Sequence, residues 1–116
     1  MTPTVELLWW DGCPSTERAL AELRAAAADV GIDEAAVTLR EIHTDAEAAA
    51  TGFPGSPTVL IDGVDAVGGV DAAGGDDAQV SSLSCRIYRR RDGRISPTPD
   101  PDDLREALRA RLRGSG

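Results

Sequence analysis

Residues 11–16, DGCPST, hold the group best suited to chemistry in this chain, the thiol of Cys13. An apolar run, TVELLWW at 4–10, leads into the turn, and a helix-compatible stretch leads out of it. At a helix start, unpaired N–H groups and the positive end of the helix dipole favour an anion. The thiolate is such an anion, and it is the nucleophilic form of cysteine. Ser15 and Thr16, in the first turn, can donate hydrogen bonds to the sulfur, whereas the charge of Asp11 opposes it. The bland reading is a small hydrophobe packed at a cap. Strand, short turn, Cys-Pro and helix in succession favour the reactive one. A dithiol turn would carry its second cysteine at position 16; here Thr16 stands there, so oxidised Cys13 has no partner within its own helix turn.

A second stretch, GSPTVLIDG at 55–63, places Pro57 at the start of an apolar strand. A cis Ser56–Pro57 bond there would be a deliberate feature, and its place about 44 residues after Cys13, past one strand and one helix, gives it weight. The other thiol is Cys85, in LSCRIY at 83–88. Leu83, Cys85 and Ile87 alternate onto one face, which predicts a buried, inert Cys85. If 83–88 returns antiparallel to 58–61, Cys85 lies at the far end of the sheet from Cys13. The two would then be beyond the Cα separation of about 7 Å that a disulfide tolerates. The single His43 with two distant cysteines is a poor zinc set, so no metal site and no cofactor are expected. Arg86, Arg89, Arg90, Arg91 and Arg94 could hold an anion, though a solvated, aggregation-resistant edge is the commoner use of such a run. Trp9 and Trp10 face opposite ways; one suits the core and the other, Trp10, the Cys13 site.

The elements that must position these groups follow from periodicity. Residues 4–10 are apolar on both faces and read as a central strand. Residues 14–30 form a helix with Leu20, Leu23, Ala27 and Val30 on one stripe and Gly31 as its stop. Residues 36–42 alternate as an edge strand, with Val37 and Leu39 on one face. Thr44 and Glu47 fit a capping box for a short helix that Gly52 ends. Val59-Leu60-Ile61 reads as the second central strand, 83–88 as the fourth. Asp100 and Pro101 open a last helix carrying Leu104, Leu108 and Leu112. One mixed α/β sheet with helices on both faces is expected, in a single domain spanning 1–116. Between Gly63 and Ser82 runs a Gly/Asp-rich segment containing a tandem VDAVGG–VDAAGG, read as a flexible, solvated loop. Its Asp65, Asp71, Asp76 and Asp77 lack the spacing of a calcium loop.

The net charge of −8 argues against nucleic acid and anionic membranes as partners. No apolar run is long enough to span a membrane, and no secretory pattern opens the chain. Two cysteines make no disulfide scaffold, so a reduced, cytoplasmic setting is expected.

The strand ending in Trp9 and Trp10, the GCPST turn and GSPTVLIDG together resemble the thioredoxin and glutaredoxin superfamily, over roughly residues 4–112. With LSCRIY, they look like a group of small bacterial thioredoxin-like proteins, some of them named as relatives of alkylmercury lyase. The resemblance implies a four-stranded mixed sheet in the order 2-1-3-4 with three helices on its two faces. It also implies a cis Pro57 beside Cys13, and a Ser56 backbone free to pair with a bound peptide or glutathione. Thr16 departs from the dithiol pattern and points to a single-thiol member. Three functions follow. In the first, Cys13 exchanges with a small thiol or a protein disulfide, with Trp10, Ser56 and Pro57 as substrate contacts. In the second, Cys13 and Cys85 capture mercury or an organomercurial, with Asp11 as proton donor. In the third, the cleft beside Pro57 binds a peptide without turnover. Close approach of the two sulfurs would favour metal or dithiol chemistry; wide separation would favour a single thiol.

Overall fold

The structure, a computed structural model, describes residues 3–71, 75–77, 81 and 83–114. The apolar run becomes β1, Val5–Trp9, and it lies inside the sheet because both of its faces find cover. Val5, Leu7 and Leu8 are fully buried. β2, Val37–Glu41, runs parallel to β1 with Val37 opposite Val5. β3, Thr58–Ile61, runs antiparallel on the other side with Ile61 opposite Val5. β4, Val64–Asp65, pairs antiparallel with β3 and completes the order β2-β1-β3-β4.

α1, Thr16–Asp29, and α3, Pro101–Gly114, cover one face. Leu23, Ala27, Leu104 and Leu108 pack there with Val5, Leu7, Val59 and Ile61. Each fully buried leucine among them contributes about 1.5–3 kcal/mol. α2, Asp45–Thr51, covers the other face, where Ala48 and Phe53 pack with Leu8 and Ile42. No helix among the described residues is long and apolar enough to cross a membrane.

The helix ends follow local rules. Past α1, Gly31 takes φ 85°, and its N–H and that of Ile32 donate back to Ala28 and Ala27. That double return satisfies two carbonyls a helix end leaves open. At α2, the Thr44 hydroxyl accepts from the Glu47 N–H at 3.1 Å, and Glu47 reaches back to the His43 N–H at 3.2 Å.

Two expectations about the sheet need correction. The fourth strand is not 83–88 but β4, reached through a two-residue turn at Asp62–Gly63, both with positive φ. Asp-Gly is the strongest short-range signal for such a hairpin, and Thr4 reinforces it by donating to Asp62 at 2.9 Å. β2 is an edge strand, as its alternation predicts, and on it Leu39 is 47 % exposed. The segment read as a solvated loop thus begins with a sheet strand. Residues 72–74 of its second repeat lie outside the described residues.

Residues 83–87 cross the end of the sheet as a strap. Cys85 bridges Ser56 in parallel, and Ile87 bridges Val70. β5, Tyr88–Arg89, then pairs with β6, Ile95–Ser96, in a separate hairpin.

Candidate functional site

Cys13 is held by its neighbours in sequence. Its N–H donates to the Trp10 carbonyl at 3.1 Å, closing a turn over Asp11 and Gly12. The Trp10 indole folds against Gly12. α1 begins only at Thr16 with Ser15 as its N-cap, so Cys13 lies two residues ahead of the cap rather than in it. The side chain is buried, 5 % exposed. Thr16 does not serve Cys13 as expected: its hydroxyl oxygen is buried and has no hydrogen-bond partner among the described residues. The Cys13 thiol donates instead to the Ser56 carbonyl at 3.5 Å.

The Ser56–Pro57 bond is cis, and Ser56 is fully buried. Its hydroxyl accepts from the Trp10 N–H at 3.0 Å, tying the end of β1 to the start of β3. Its backbone is not free for a substrate, which corrects the role expected for it. The Ser56 N–H donates to Ser84 and its carbonyl accepts from Arg86, both at 2.8 Å. The strap therefore occupies the main-chain slot beside Pro57.

That pairing brings Cys85 to Cys13. Cys85 is neither buried nor at the opposite end of the sheet, as the assumed antiparallel register required; it is exposed and interacts directly with the Cys13 thiol. The reason lies in β4. Because the Asp62–Gly63 turn supplies β3 with its partner at once, 83–88 is left to pair in parallel with Ser56, at the Cys13 end. Loss of solvent, the hydrogen bond with Cys13 and the charge of an ionised Cys13 together push the Cys85 thiol up to about 11. Cys85 accordingly keeps its proton near neutral pH.

What holds the strap is Arg86, a residue the alternation assigned to the solvent face. The fully buried residues are Arg86 and Tyr88, at 2 % and 1 % exposure; Leu83 and Ile87 are half-buried, Leu83 against the core under α2, and Cys85 is exposed. The Arg86 guanidinium donates to Asp77 at 2.8 and 2.9 Å and to Asp65 at 2.6 and 3.0 Å. It also reaches Thr58 and Tyr88, both at 3.2 Å, and the Tyr88 hydroxyl donates to the Pro57 carbonyl. Burial works against the guanidinium charge, but Asp77 and Asp65 outweigh it and hold the arginine firmly charged. Burial also pushes the Tyr88 hydroxyl well above its ordinary value, so it remains a donor. A buried charge persists only with such partners. Gly55 permits the approach: a Cβ there would lie 2.9 Å from Arg86 Cβ and 3.0 Å from its backbone nitrogen. Two aspartates of the Gly/Asp-rich segment are thus anchors, and the arginine run divides in function. Arg91 and Arg94 form surface pairs with Asp103, Glu106 and Asp92.

Among the described residues, no group of three or more His, Cys, Asp or Glu side chains is placed to hold a metal ion. His43 is a surface residue 3.5 Å from Glu41. A cavity of about 280 Å³ opens beside the strap, lined by Pro54, Val70, Asp71, Asp77, Ser84 and Cys85 among others. A larger hollow of about 740 Å³ shares no lining residue with the thiol site. Its Arg18, Arg91, Arg94 and Arg105 are already ion-paired. The chain matches no protein-family model, no curated protein and no solved structure.

Proposed function

We propose that this is a thioredoxin-like thiol–disulfide exchange protein whose working pair is Cys13 and Cys85, rather than Cys13 alone. The supporting observation is the pairing of Ser56 with 84–86, which sets the Cys85 thiol against that of Cys13. The sheet order, the cis Pro57 and the turn from β1 through Cys13 into α1 support the fold assignment. Oxidation joins the two sulfurs and releases two electrons and two protons; a disulfide accepts them and becomes two thiols. Thiols in a reducing cytoplasm return the pair to its resting form. A peptide-binding module is disfavoured, because the strap fills the slot such a peptide would use.

The same pair supports a second reading, capture of a soft ion such as mercury(II) by two thiolates. It requires Cys85 to release its proton on binding.

Intact mass after mild oxidation with diamide, with no thiol added, tests the proposal. The monomer should lose two hydrogens, and neither Cys13→Ser nor Cys85→Ser should do so. A wild-type chain that keeps both hydrogens under diamide, and gains oxygen on Cys13 under dilute hydrogen peroxide, would return the single-thiol reading.

A further inference from the structure

Resting on the dithiol reading, we infer that small neutral or cationic thiols reach this site through Cys85, and that the mixed disulfide forms on Cys85 and not on Cys13. The sequence alone casts Cys13 as the attacking and attacked sulfur. The structure reverses the accessibility. Cys13 is 5 % exposed, against the Ser56 carbonyl and beneath the strap. Cys85 is exposed and lines the cavity of about 280 Å³. That volume falls just below the range of about 300–1,000 Å³ that suits drug-sized ligands, so a small thiol fits. An extended peptide has no free main-chain partner at Ser56.

The chemistry favours the same sulfur. Exchange is faster when the departing thiol is the more acidic one. Attack at Cys13 would expel Cys85, whose thiol partial loss of solvent alone holds above its ordinary value. Attack at Cys85 avoids that departure in the step that opens the protein disulfide. In the first step a thiolate, RS⁻, bonds to Cys85 Sγ, the Cys85–Cys13 bond breaks, and Cys13 leaves as thiolate. In the second step another RS⁻ attacks the sulfur of the bound RS group. RSSR departs, and Cys85 takes up a proton. Two small thiols become one disulfide while the protein disulfide becomes two thiols.

Charge narrows the class. The cavity lining carries Asp71, Asp77 and Arg86, and the guanidinium is committed to Asp77 and Asp65. None of residues 72–74, 78–80 and 82 carries a charge, and the chain as a whole is at −8. Among the described lining residues, no cation beyond Arg86 is left to receive a carboxylate-bearing thiol, and the field repels it.

The test starts from diamide-oxidised, desalted protein, exposed briefly to cysteamine and quenched in acid. Free thiols are then blocked with N-ethylmaleimide, and the chain is cut at Arg18 and Arg86 to separate the two cysteines. Cysteamine should be found on the Cys85 peptide and maleimide on the Cys13 peptide. Cysteamine on Cys13 would overturn the inference while leaving the dithiol reading intact. Absence of the internal disulfide before cysteamine is added would overturn the dithiol reading, and this inference with it. As salt is added, opening by cysteamine should slow and opening by thioglycolate should speed up. Salt that moves both rates alike would overturn the charge selectivity.

Discussion

Cys13 is positioned by contacts a few residues long: a turn to Trp10 behind it and α1 starting at Thr16 ahead of it. Cys85 is positioned by contacts from across the chain: the backbone of Ser56 and a guanidinium clamped by Asp65 and Asp77. The first thiol is buried and the second is open, yet they meet. The contrast teaches that two thiols that meet need not share a motif. A strap anchored by a buried ion can carry the second sulfur to the first.

Removing the anchor should break that contrast most strongly. Arg86→Ala leaves Asp77 buried and unpaired and should destabilise the protein by about 3–5 kcal/mol, read from urea unfolding. In the folded fraction the strap should lift, so Cys13 alkylates faster while diamide closes the disulfide more slowly. Unchanged rates for both would mean that the strap is held by something other than Arg86.

Gly55→Ala presses on the same strap without touching a charge or a thiol. Its Cβ meets Arg86 backbone and Cβ at about 3 Å, at a residue with φ 148°. Overpacking of this kind destabilises by about 1–3 kcal/mol. Disulfide closure should slow as in Arg86→Ala, but by less. A variant that closes as fast as the wild type would show that the approach at Gly55 is not needed.

The gentlest test sharpens the comparison at the sulfurs. In Cys13→Ser the hydrogen bond and charge that raise Cys85 disappear, but partial loss of solvent, the largest cause, remains. The midpoint of Cys85 alkylation against pH should therefore fall from about 11 without reaching the ordinary 9.0. Because the raised value marks a held proton, reactivity near neutral pH should increase. A midpoint that stays at about 11 would mean that the two thiols do not sense each other.

Much of the fold was legible, and for physical reasons that act locally. The doubly apolar 4–10 could only be an inner strand, and Thr44 with Glu47 and Gly31 marked helix ends through hydrogen bonds within one turn. The cis bond at Pro57 was legible only through the resemblance, because proline lacks an N–H in either isomer. The Asp62–Gly63 turn is just as local a signal; by giving β3 its partner at once it leaves 83–88 out of the sheet and takes Cys85 to the Cys13 end.

The facing of 83–88 lies beyond any local rule. Alternation of apolar residues sends Leu83, Cys85 and Ile87 inward, since a guanidinium alone is too costly to bury. Folding brings Asp65 and Asp77 to Arg86, removes that cost and turns the segment over. By itself the sequence determined the elements, their caps and the turn that presents Cys13, because these depend on neighbours along the chain. Only the tertiary structure decided which face of the strap is buried, and therefore that Cys85 meets Cys13. That choice depends on charges far apart in sequence that neutralise one another once the chain has closed.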